Sequence, residues 1–237
     1  MSRFDVIAFD ADDTLWHNEQ LYIGVQTMYK ELLSHYHNPE WIAERLYQTE
    51  MRNLAHFGYG IKAFALSMIE TAVELTEGRI TGSDIQAIID AVKTMLAADV
   101  ELIDNVADTL AQLAEMYELM VVTKGDLRDQ ELKIARSGLS GYFGRVEIVS
   151  DKTRDSYAAV LKRHQLQPER FVMIGNSLRS DILPVLELGA HAIYVPHELT
   201  WVHEHASVPI DAGGFHQVEH VGMIPGLLAE LEQAQQP

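Results

Sequence analysis

"VIAFDADDTLWHNE" (residues 6–19) joins a short apolar run directly to three carboxylates and a hydroxyl, Asp10, Asp12, Asp13 and Thr14. A run of this length and composition is typical of a buried β-strand. Carboxylates that crowd at the end of such a strand repel one another and should destabilise the fold. The arrangement therefore calls for a compensating positive charge.

The composition limits the classes of partner. The chain has 237 residues and is 47% hydrophobic, enough to bury a substantial core in one large domain or in a domain with a smaller companion. It has 35 acidic and 18 basic residues, a formal charge of -17, which disfavours nucleic acid and anionic membrane surfaces as partners. A phosphorylated metabolite remains compatible if a metal ion or a few cations reverse the potential locally.

Cysteine content and hydropathy bear on the cellular compartment of the protein. The chain has no cysteine, which removes disulfides, thiolate nucleophiles and cysteine-based zinc sites. The N-terminal residues lack the long apolar segment of a signal peptide, and no run approaches the roughly 18 apolar residues of a membrane span. We expect a cytoplasmic protein without a membrane partner.

Short apolar runs alternate with helix-like segments along much of the chain. Five runs are predicted to be buried strands: 5–9, 119–122, 146–149, 171–174 and 192–195. Four intervening segments have the apolar spacing of helices: 105–116, 128–138, 156–165 and 180–189. Alternating strands and helices predict an α/β fold with a doubly wound parallel sheet, a Rossmann-like core.

About 100 residues separate the first two predicted strands, far more than one crossover needs. This interval has helical periodicity at 41–57, 61–78 and 81–96, and a break at "FGYG" (57–60). We therefore predict a helical cap domain at 17–98 inserted into a core formed by 1–16 and 99–237.

Residues whose side chains can take part in catalysis or ligand binding follow four of the predicted strands. In an open α/β sheet, ligands bind outside the carboxyl ends of the strands, so these residues should converge. In chain order they are Asp10 and Asp12; Thr123, Lys124 and Asp126; Asp151 and Lys152; and Asn176 and Asp181.

These residues resemble the motifs of the haloacid dehalogenase superfamily, most of whose members are magnesium-dependent phosphatases with a mobile cap. Asp10, Asp12 and Thr14 match its Asp-x-Asp-x-Thr motif, and the insertion at 17–98 matches its helical cap. The remaining motifs are matched by Thr123, Lys152 and "GNSLRSD" (175–181). Asp13 and Asn176 stand where the family usually has Gly and Asp, respectively.

The resemblance implies a role for each matched residue. Asp10 would attack a phosphoryl group and form an aspartyl-phosphate, while Thr123 and Lys152 would bind the phosphate. Lys124 competes with Lys152 for this role. If the chain stays extended, Asp12 faces the same side as Asp10 and would act as general acid. The implied Mg²⁺ ligands are Asp10, the backbone carbonyl of Asp12, Asn176 and Asp181.

We therefore predict a Mg²⁺-dependent phosphatase acting on a phosphomonoester of a small metabolite, of the nucleotide or sugar phosphate class. A dehalogenase is disfavoured, because a halide leaves without a proton and would not need an acid at Asp12. A phosphomutase would use the same core residues. A non-catalytic, metal-binding regulatory module is the alternative from another class, and Asn176 is its main support.

Two further segments have open interpretations. "HFGYGIK" (56–62) lies at a break between predicted cap helices and is a candidate for substrate recognition, although Tyr59 also suits a cap core. The His-rich segment 197–205 suggests either a second metal site or a polar loop.

Overall fold

The computed structural model describes residues 2–234, which divide into two compact units. The first contains the chain up to Glu19, Val100–Thr123 and the chain from Gln130 onward. The second contains Gln20–Asp99 together with Lys124–Asp129. Residues 1 and 235–237 of the predicted core lie outside the described residues. That the second unit acts as a cap stays a prediction.

In the described residues, five helices follow the first strand, and strands alternate with helices from the second strand to the fifth. In chain order the elements are β1 (Val6–Phe9), α1 (Glu19–Leu33), α2 (Pro39–Phe57), α3 (Ile61–Leu75), α4 (Gly82–Ala97), α5 (Val106–Ala114), β2 (Glu118–Lys124), α6 (Leu127–Arg136), β3 (Phe143–Val149), α7 (Arg154–Arg163), β4 (Phe171–Gly175), α8 (Leu183–Leu186), β5 (His191–Tyr194), β6 (Phe215–Gln217) and α9 (Ile224–Gln233). A wide π-type turn of helix, Leu178–Ile182, leads into α8.

Among residues 2–234, the strands form a six-stranded sheet in the order β3-β2-β1-β4-β5-β6. β1 pairs in parallel with both β2 and β4, so that Phe9 lies opposite Val121 and Ile174. The strand order reverses at β1, which places a topological switch point at its carboxyl end. The predicted doubly wound α/β fold is confirmed.

The side chains of β1 alternate between the two faces of the sheet, as the period of a strand requires. Ile7 and Phe9 belong to the apolar core that includes α5 and α9. Val6 and Ala8 belong to the core on which Tyr157 of α7 packs. Because all four residues are buried, β1 is anchored on both faces, and the residue that follows it has a well-defined position.

The second unit has its own apolar core, contributed by all four of its helices. Thr81 and Asp84 form a reciprocal capping box at the start of α4, and Asn38 caps α2. No helix within residues 2–234 is both long and apolar enough to cross a membrane.

The break between α2 and α3 requires glycine at one position. Gly60 has a φ of +117°, and a Cβ there would lie 2.8 Å from the backbone nitrogen of Asp126. A substitution at Gly60 would therefore strain the backbone and displace residues 124–129.

The predicted strands differ from the structure in two places. β6 was not predicted, because three residues are too short a pattern to recognise in the sequence. The run 146–149 was predicted to be buried, but it belongs to the edge strand β3, where Val146 is 44% exposed. An edge strand has only one neighbour, and composition alone does not reveal which strand occupies that place.

Two histidines on neighbouring strands share a partly buried position. The rings of His191 (β5) and His216 (β6) stack with centroids 6.3 Å apart. The Arg3 guanidinium lies 3.4 Å from Nε2 of His191. Burial, followed by the positive charge of Arg3, holds the pKa of both histidines below its usual range.

We expect His216→Gln to weaken the pH dependence of stability. The pKa is lower in the folded than in the unfolded state, so the unfolded chain binds protons first as pH falls below about 6.5. Stability is therefore complete above that pH and lost below it. Urea unfolding at about pH 7.5 and about pH 5 measures the difference, with the exposed His35→Gln as control. An unchanged pH dependence in His216→Gln would contradict the prediction.

Candidate active site

Asp10 follows β1 at the switch point of the sheet. Its backbone N–H donates to the carbonyl of Ile174 at 2.8 Å, which extends the pairing of β1 with β4 by one residue. The residue as a whole is 7% exposed. One carboxylate oxygen, Oδ1, accepts a hydrogen bond from the Lys152 ammonium, and Oδ2 lies 3.3 Å from Oγ1 of Thr14.

The Lys152 ammonium is buried between two carboxylates. It forms ion pairs with Asp10 and with Asp181, the latter at 2.7 Å. Lys152 precedes Thr153, the N-cap of α7, whose capping box fixes the start of that helix. Side-chain capping thus fixes the chain next to the lysine.

The buried cluster contains two carboxylates and one ammonium, so its formal charge is negative. Burial and the neighbouring Asp181 carboxylate raise the pKa of Asp10 to about 7 against the opposing effect of Lys152. Burial disfavours the charged ammonium, but the two carboxylates outweigh it and raise the pKa of Lys152. The protein therefore holds a firmly charged lysine beside an aspartate whose charge is only partly compensated.

Asp181 lies on the π-type turn after β4, a geometry that often occurs at functional sites. Its Oδ2 accepts a hydrogen bond from the backbone N–H of Ser177 at 3.0 Å. A Cβ at Gly175 would lie only 2.2 Å from this oxygen. Glycine is therefore required at position 175 so that the Asp181 carboxylate can approach the end of β4.

Thr14 connects the first motif to Asn176. The Thr14 hydroxyl oxygen, Oγ1, lies 3.2 Å from Oδ1 of Asn176. The same hydroxyl oxygen accepts a hydrogen bond from the backbone N–H of Asn176. Both side chains are buried. Asp10, Thr14, Lys152, Asn176 and Asp181 thus form one hydrogen-bonded group that joins the ends of β1 and β4 to the start of α7.

Asp12 lies in a separate set of contacts. It accepts hydrogen bonds from Trp16 Nε1 at 2.7 Å and Gln130 Nε2 at 2.8 Å, and it forms an ion pair with Lys133 at 3.0 Å. Burial opposes its ionisation, but Lys133 and these hydrogen bonds hold its pKa below the usual range. In this state the carboxylate is ionised, so it must gain a proton before it can act as an acid.

Asp13 stands where the family usually has glycine and adopts a positive φ. Its φ is +59°, a left-handed conformation that aspartate tolerates better than most residues. Its carboxylate accepts hydrogen bonds from the backbone N–H groups of Asn18 at 2.8 Å and Glu19 at 3.1 Å. Asp13 therefore stabilises the entry to α1, which a glycine cannot do.

Thr123 and Lys124 end β2, next to β1 in the sheet. Thr123 is buried. Lys124 belongs to the second unit, where its ammonium lies 4.0 Å from the ring centroid of Tyr59. Lys62 pairs with Asp126 at 2.8 Å within the same unit. The candidate recognition segment 56–62 is thus in contact with Lys124 and Asp126, which follow Thr123, the residue that matches the family's second motif.

The His-rich segment 197–205 makes structural contacts. Glu204 is buried and accepts hydrogen bonds from the hydroxyl of Ser177, which precedes the π-type turn, and from that of Ser180, which lies within it. His197 Nε2 lies 3.9 Å from Asp13. Within residues 2–234, no group of three or more His, Asp or Glu residues is arranged to hold a metal ion. The structure therefore gives no support to a second metal site in this segment.

The first motif and Asn176 offer a different kind of cation site. Asp10 and Asp181 supply carboxylates, Asn176 supplies an amide oxygen, and Asp12 has a backbone carbonyl. This is an all-oxygen donor set with a net negative charge, which suits Mg²⁺ better than a soft metal. The chemistry of the residues present therefore fits the predicted ion.

Three residues around Asp12 were not predicted from the sequence: Trp16, Gln130 and Lys133. Two sequence signals point towards them. Trp16 lies four residues after Asp12, and Gln130 and Lys133 are three apart on α6, on one face of the helix that follows the second motif.

Comparison with known proteins places the chain in a family. A family model for haloacid dehalogenase-like hydrolases matches residues 4–189. The chain therefore belongs to the haloacid dehalogenase-like hydrolase family. A haloacid dehalogenase-like hydrolase from Xanthomonas campestris is 41% identical, and its crystal structure superposes with a TM-score of 0.88 over 98% of this chain and 93% of that chain.

Two more distant proteins differ from each other in activity. A glyceraldehyde 3-phosphate phosphatase from Methanothermobacter thermautotrophicus is 34% identical over 103 residues, which span 40% of this chain and 45% of that protein. The chain thus matches less than half of that relative's length. A 2-haloacid dehalogenase from Pseudomonas syringae has a TM-score of 0.65 at 19% identity, over 96% of this chain and 99% of that chain, and shows the fold alone.

We expect Asp10→Asn to stabilise the protein at neutral pH in the absence of divalent cations. A raised pKa in the folded state means that stability falls as pH rises from about 4 to about 7, because the unfolded chain releases the proton first. The neutral amide removes this loss and leaves Lys152 paired with Asp181. The expected gain near neutral pH is about 1 kcal/mol, and it should disappear near pH 4.

Urea unfolding measures this gain, with Asp155→Asn as an exposed control expected within about 0.5 kcal/mol of wild type. Lower stability of Asp10→Asn across the whole pH range would contradict the electrostatic interpretation of the cluster.

Asn176→Asp should tighten Mg²⁺ binding to the free protein, because a third carboxylate adds charge to the oxygen set. Calorimetric titration of Mg²⁺ into wild type and variant, without substrate, compares the two affinities. Equal affinities would indicate that residue 176 acts through Thr14 and does not contact the ion.

Proposed function

We propose that the protein is a Mg²⁺-dependent phosphatase that hydrolyses a phosphomonoester of a small metabolite, such as a nucleotide or sugar phosphate. The observation that carries this proposal is the buried Asp10 carboxylate beside Lys152 at the switch point of the sheet. The cytoplasmic location expected from the sequence stays a prediction.

In the first step, Asp10 attacks phosphorus and the bond from phosphorus to the leaving oxygen breaks. The leaving alkoxide takes a proton from Asp12, which yields the alcohol and an aspartyl-phosphate. In the second step, water attacks the same phosphorus, Asp12 accepts a proton from the water, and the Asp10 carboxylate is released with inorganic phosphate.

Electrostatic repulsion is the main obstacle to this attack. A carboxylate and a phosphate of charge near -2 repel by roughly 4 kcal/mol per unit charge at ~4 Å and an effective dielectric constant of ~20, or about 8 kcal/mol in total. The Lys152 ammonium offsets part of this repulsion because it already contacts the nucleophile. Thr123 would donate a hydrogen bond to a phosphoryl oxygen, and Lys124 is a further candidate for binding substrate.

Asp10, Asn176, Asp181 and the backbone carbonyl of Asp12 would hold Mg²⁺. When bound, the ion supplies positive charge shared by the nucleophile and the phosphate. The low pKa of Asp12 means that its carboxylate must take up a proton when substrate binds, and the negative charge of an incoming phosphate nearby favours that protonation.

The archaeal phosphatase relative supports the choice of a phosphate ester, although it matches only part of this chain. The dehalogenase neighbours support a hydrolase fold of the same kind. A reaction with a halide leaving group has no use for the proton-transferring group that Asp12 provides. We therefore favour the phosphatase over the dehalogenase.

Phosphate release from p-nitrophenyl phosphate and from a panel of phosphorylated metabolites, with and without Mg²⁺, tests the proposal. We expect turnover that requires Mg²⁺ and falls below about 1% of wild type in Asp10→Asn, because a neutral amide is a poor nucleophile. The exposed Asp155→Asn should retain wild-type activity.

Three results would contradict the proposal. Halide release from 2-chloropropionate without phosphatase activity would favour a dehalogenase. Conversion of a sugar phosphate to its isomer without phosphate release would favour a mutase. Mg²⁺ binding without any turnover would favour a regulatory module.

A further inference from the structure

A set of nitrogen donors surrounds the Asp12 carboxylate from three directions. Trp16 Nε1 donates to Oδ1 at 2.7 Å, and Gln130 Nε2 donates to Oδ2 at 2.8 Å. The Lys133 ammonium contacts both oxygens, at 3.0 and 3.2 Å. The Asp12 side chain is 23% exposed and that of Lys133 is 12% exposed. The carboxylate is therefore held in place while keeping access to solvent.

Lys133 also connects the two ends of the loop that carries Asp12. Its ammonium donates to Oδ1 of Asn18 at 2.8 Å. The backbone N–H of Asn18 in turn donates to the Asp13 carboxylate. One side chain from α6 therefore ties the acidic loop to the entry of α1, although it is 121 residues away from Asp12 in sequence.

We propose that Lys133 is a positioning residue that holds Asp12 for proton transfer to and from the reacting groups. This inference rests on the proposed phosphatase function. One Asp12 oxygen carries the proton that goes to the leaving oxygen, and in hydrolysis of the aspartyl-phosphate it takes a proton from water. Because the Lys133 ammonium contacts both oxygens, it remains hydrogen-bonded to one oxygen while the other gains or loses the proton.

The contact geometry distinguishes Lys133 from the other two donors. Trp16 donates to Oδ1 and Gln130 donates to Oδ2, whereas the Lys133 ammonium contacts both oxygens. Only a donor to both oxygens restrains the carboxylate whichever of them carries the proton. Misplacement of a reacting group by about 1 Å can lower a rate by roughly 100-fold, so the loss of Lys133 should be visible in the rate of the step that needs the proton.

The test compares kcat/KM for two substrates in wild type, Lys133→Met, Lys133→Arg and the exposed control Lys162→Met. The substrates are an alkyl phosphate, whose leaving alkoxide needs a proton, and p-nitrophenyl phosphate, whose leaving phenolate does not. kcat/KM covers the steps up to departure of the leaving group. The ratio of the two values is independent of the folded fraction of a preparation, since unfolded protein lowers both equally.

We expect Lys133→Met to lower kcat/KM for the alkyl phosphate by about 10- to 100-fold and for p-nitrophenyl phosphate by less than about threefold. Lys133→Arg keeps a donor that can reach both oxygens and should recover part of the loss. Lys162→Met should resemble wild type on both substrates.

An equal loss on both substrates, or no loss on either, would overturn the positioning role. Either result leaves the phosphatase proposal standing, provided that wild type hydrolyses both substrates. Absence of hydrolysis by wild type would instead reject the phosphatase proposal, and the inference on Lys133 with it.

Discussion

The rest of the site depends on the ammonium of Lys152, buried between the carboxylates of Asp10 and Asp181. Removing three charges from water costs several kcal/mol for each ion, and a single cation cannot neutralise two anions. Burial and this uncompensated charge together raise the pKa of Asp10, and the charge repels a phosphate that approaches alone. The same charge attracts a hard divalent cation. Under our proposal, the stability lost in the resting protein is the source of its affinity for a metal ion and of the reactivity of Asp10.

The fold maintains this cluster by close approach of its backbone segments. β1 and β4 are adjacent in the sheet, so the residues that follow them are neighbours. Gly175 leaves the space that the Asp181 carboxylate occupies, and Glu204 binds the hydroxyls of Ser177 and Ser180 around the turn that presents Asp181. We therefore expect a change at Gly175 or Glu204 to displace the Asp181 carboxylate, although neither residue belongs to the charged cluster.

Local patterns in the sequence predicted much of this arrangement, and long-range contacts account for what was missed. Asp10, Lys152 and Asp181 were predicted to converge because each follows an apolar run, and the carboxyl ends of parallel strands share one edge. The partnership of Lys133 with Asp12 was missed because it joins residues that are distant in sequence, and the spacing of Gln130 and Lys133 on one face of α6 does not show what that face contacts. The conformation of the turn at Asp13 could not be predicted, because the sequence does not show that the Asp13 carboxylate caps the next helix.

Covalent phosphorylation of Asp10 during turnover can be tested by trapping the intermediate. Protein mixed briefly with substrate and Mg²⁺ is quenched in acid and reduced with borohydride, which converts an aspartyl-phosphate to homoserine, and the modified residue is located by peptide mass spectrometry. We predict homoserine at position 10, dependent on both substrate and Mg²⁺. Rapid turnover with an unmodified Asp10, or homoserine at another aspartate, would contradict the account.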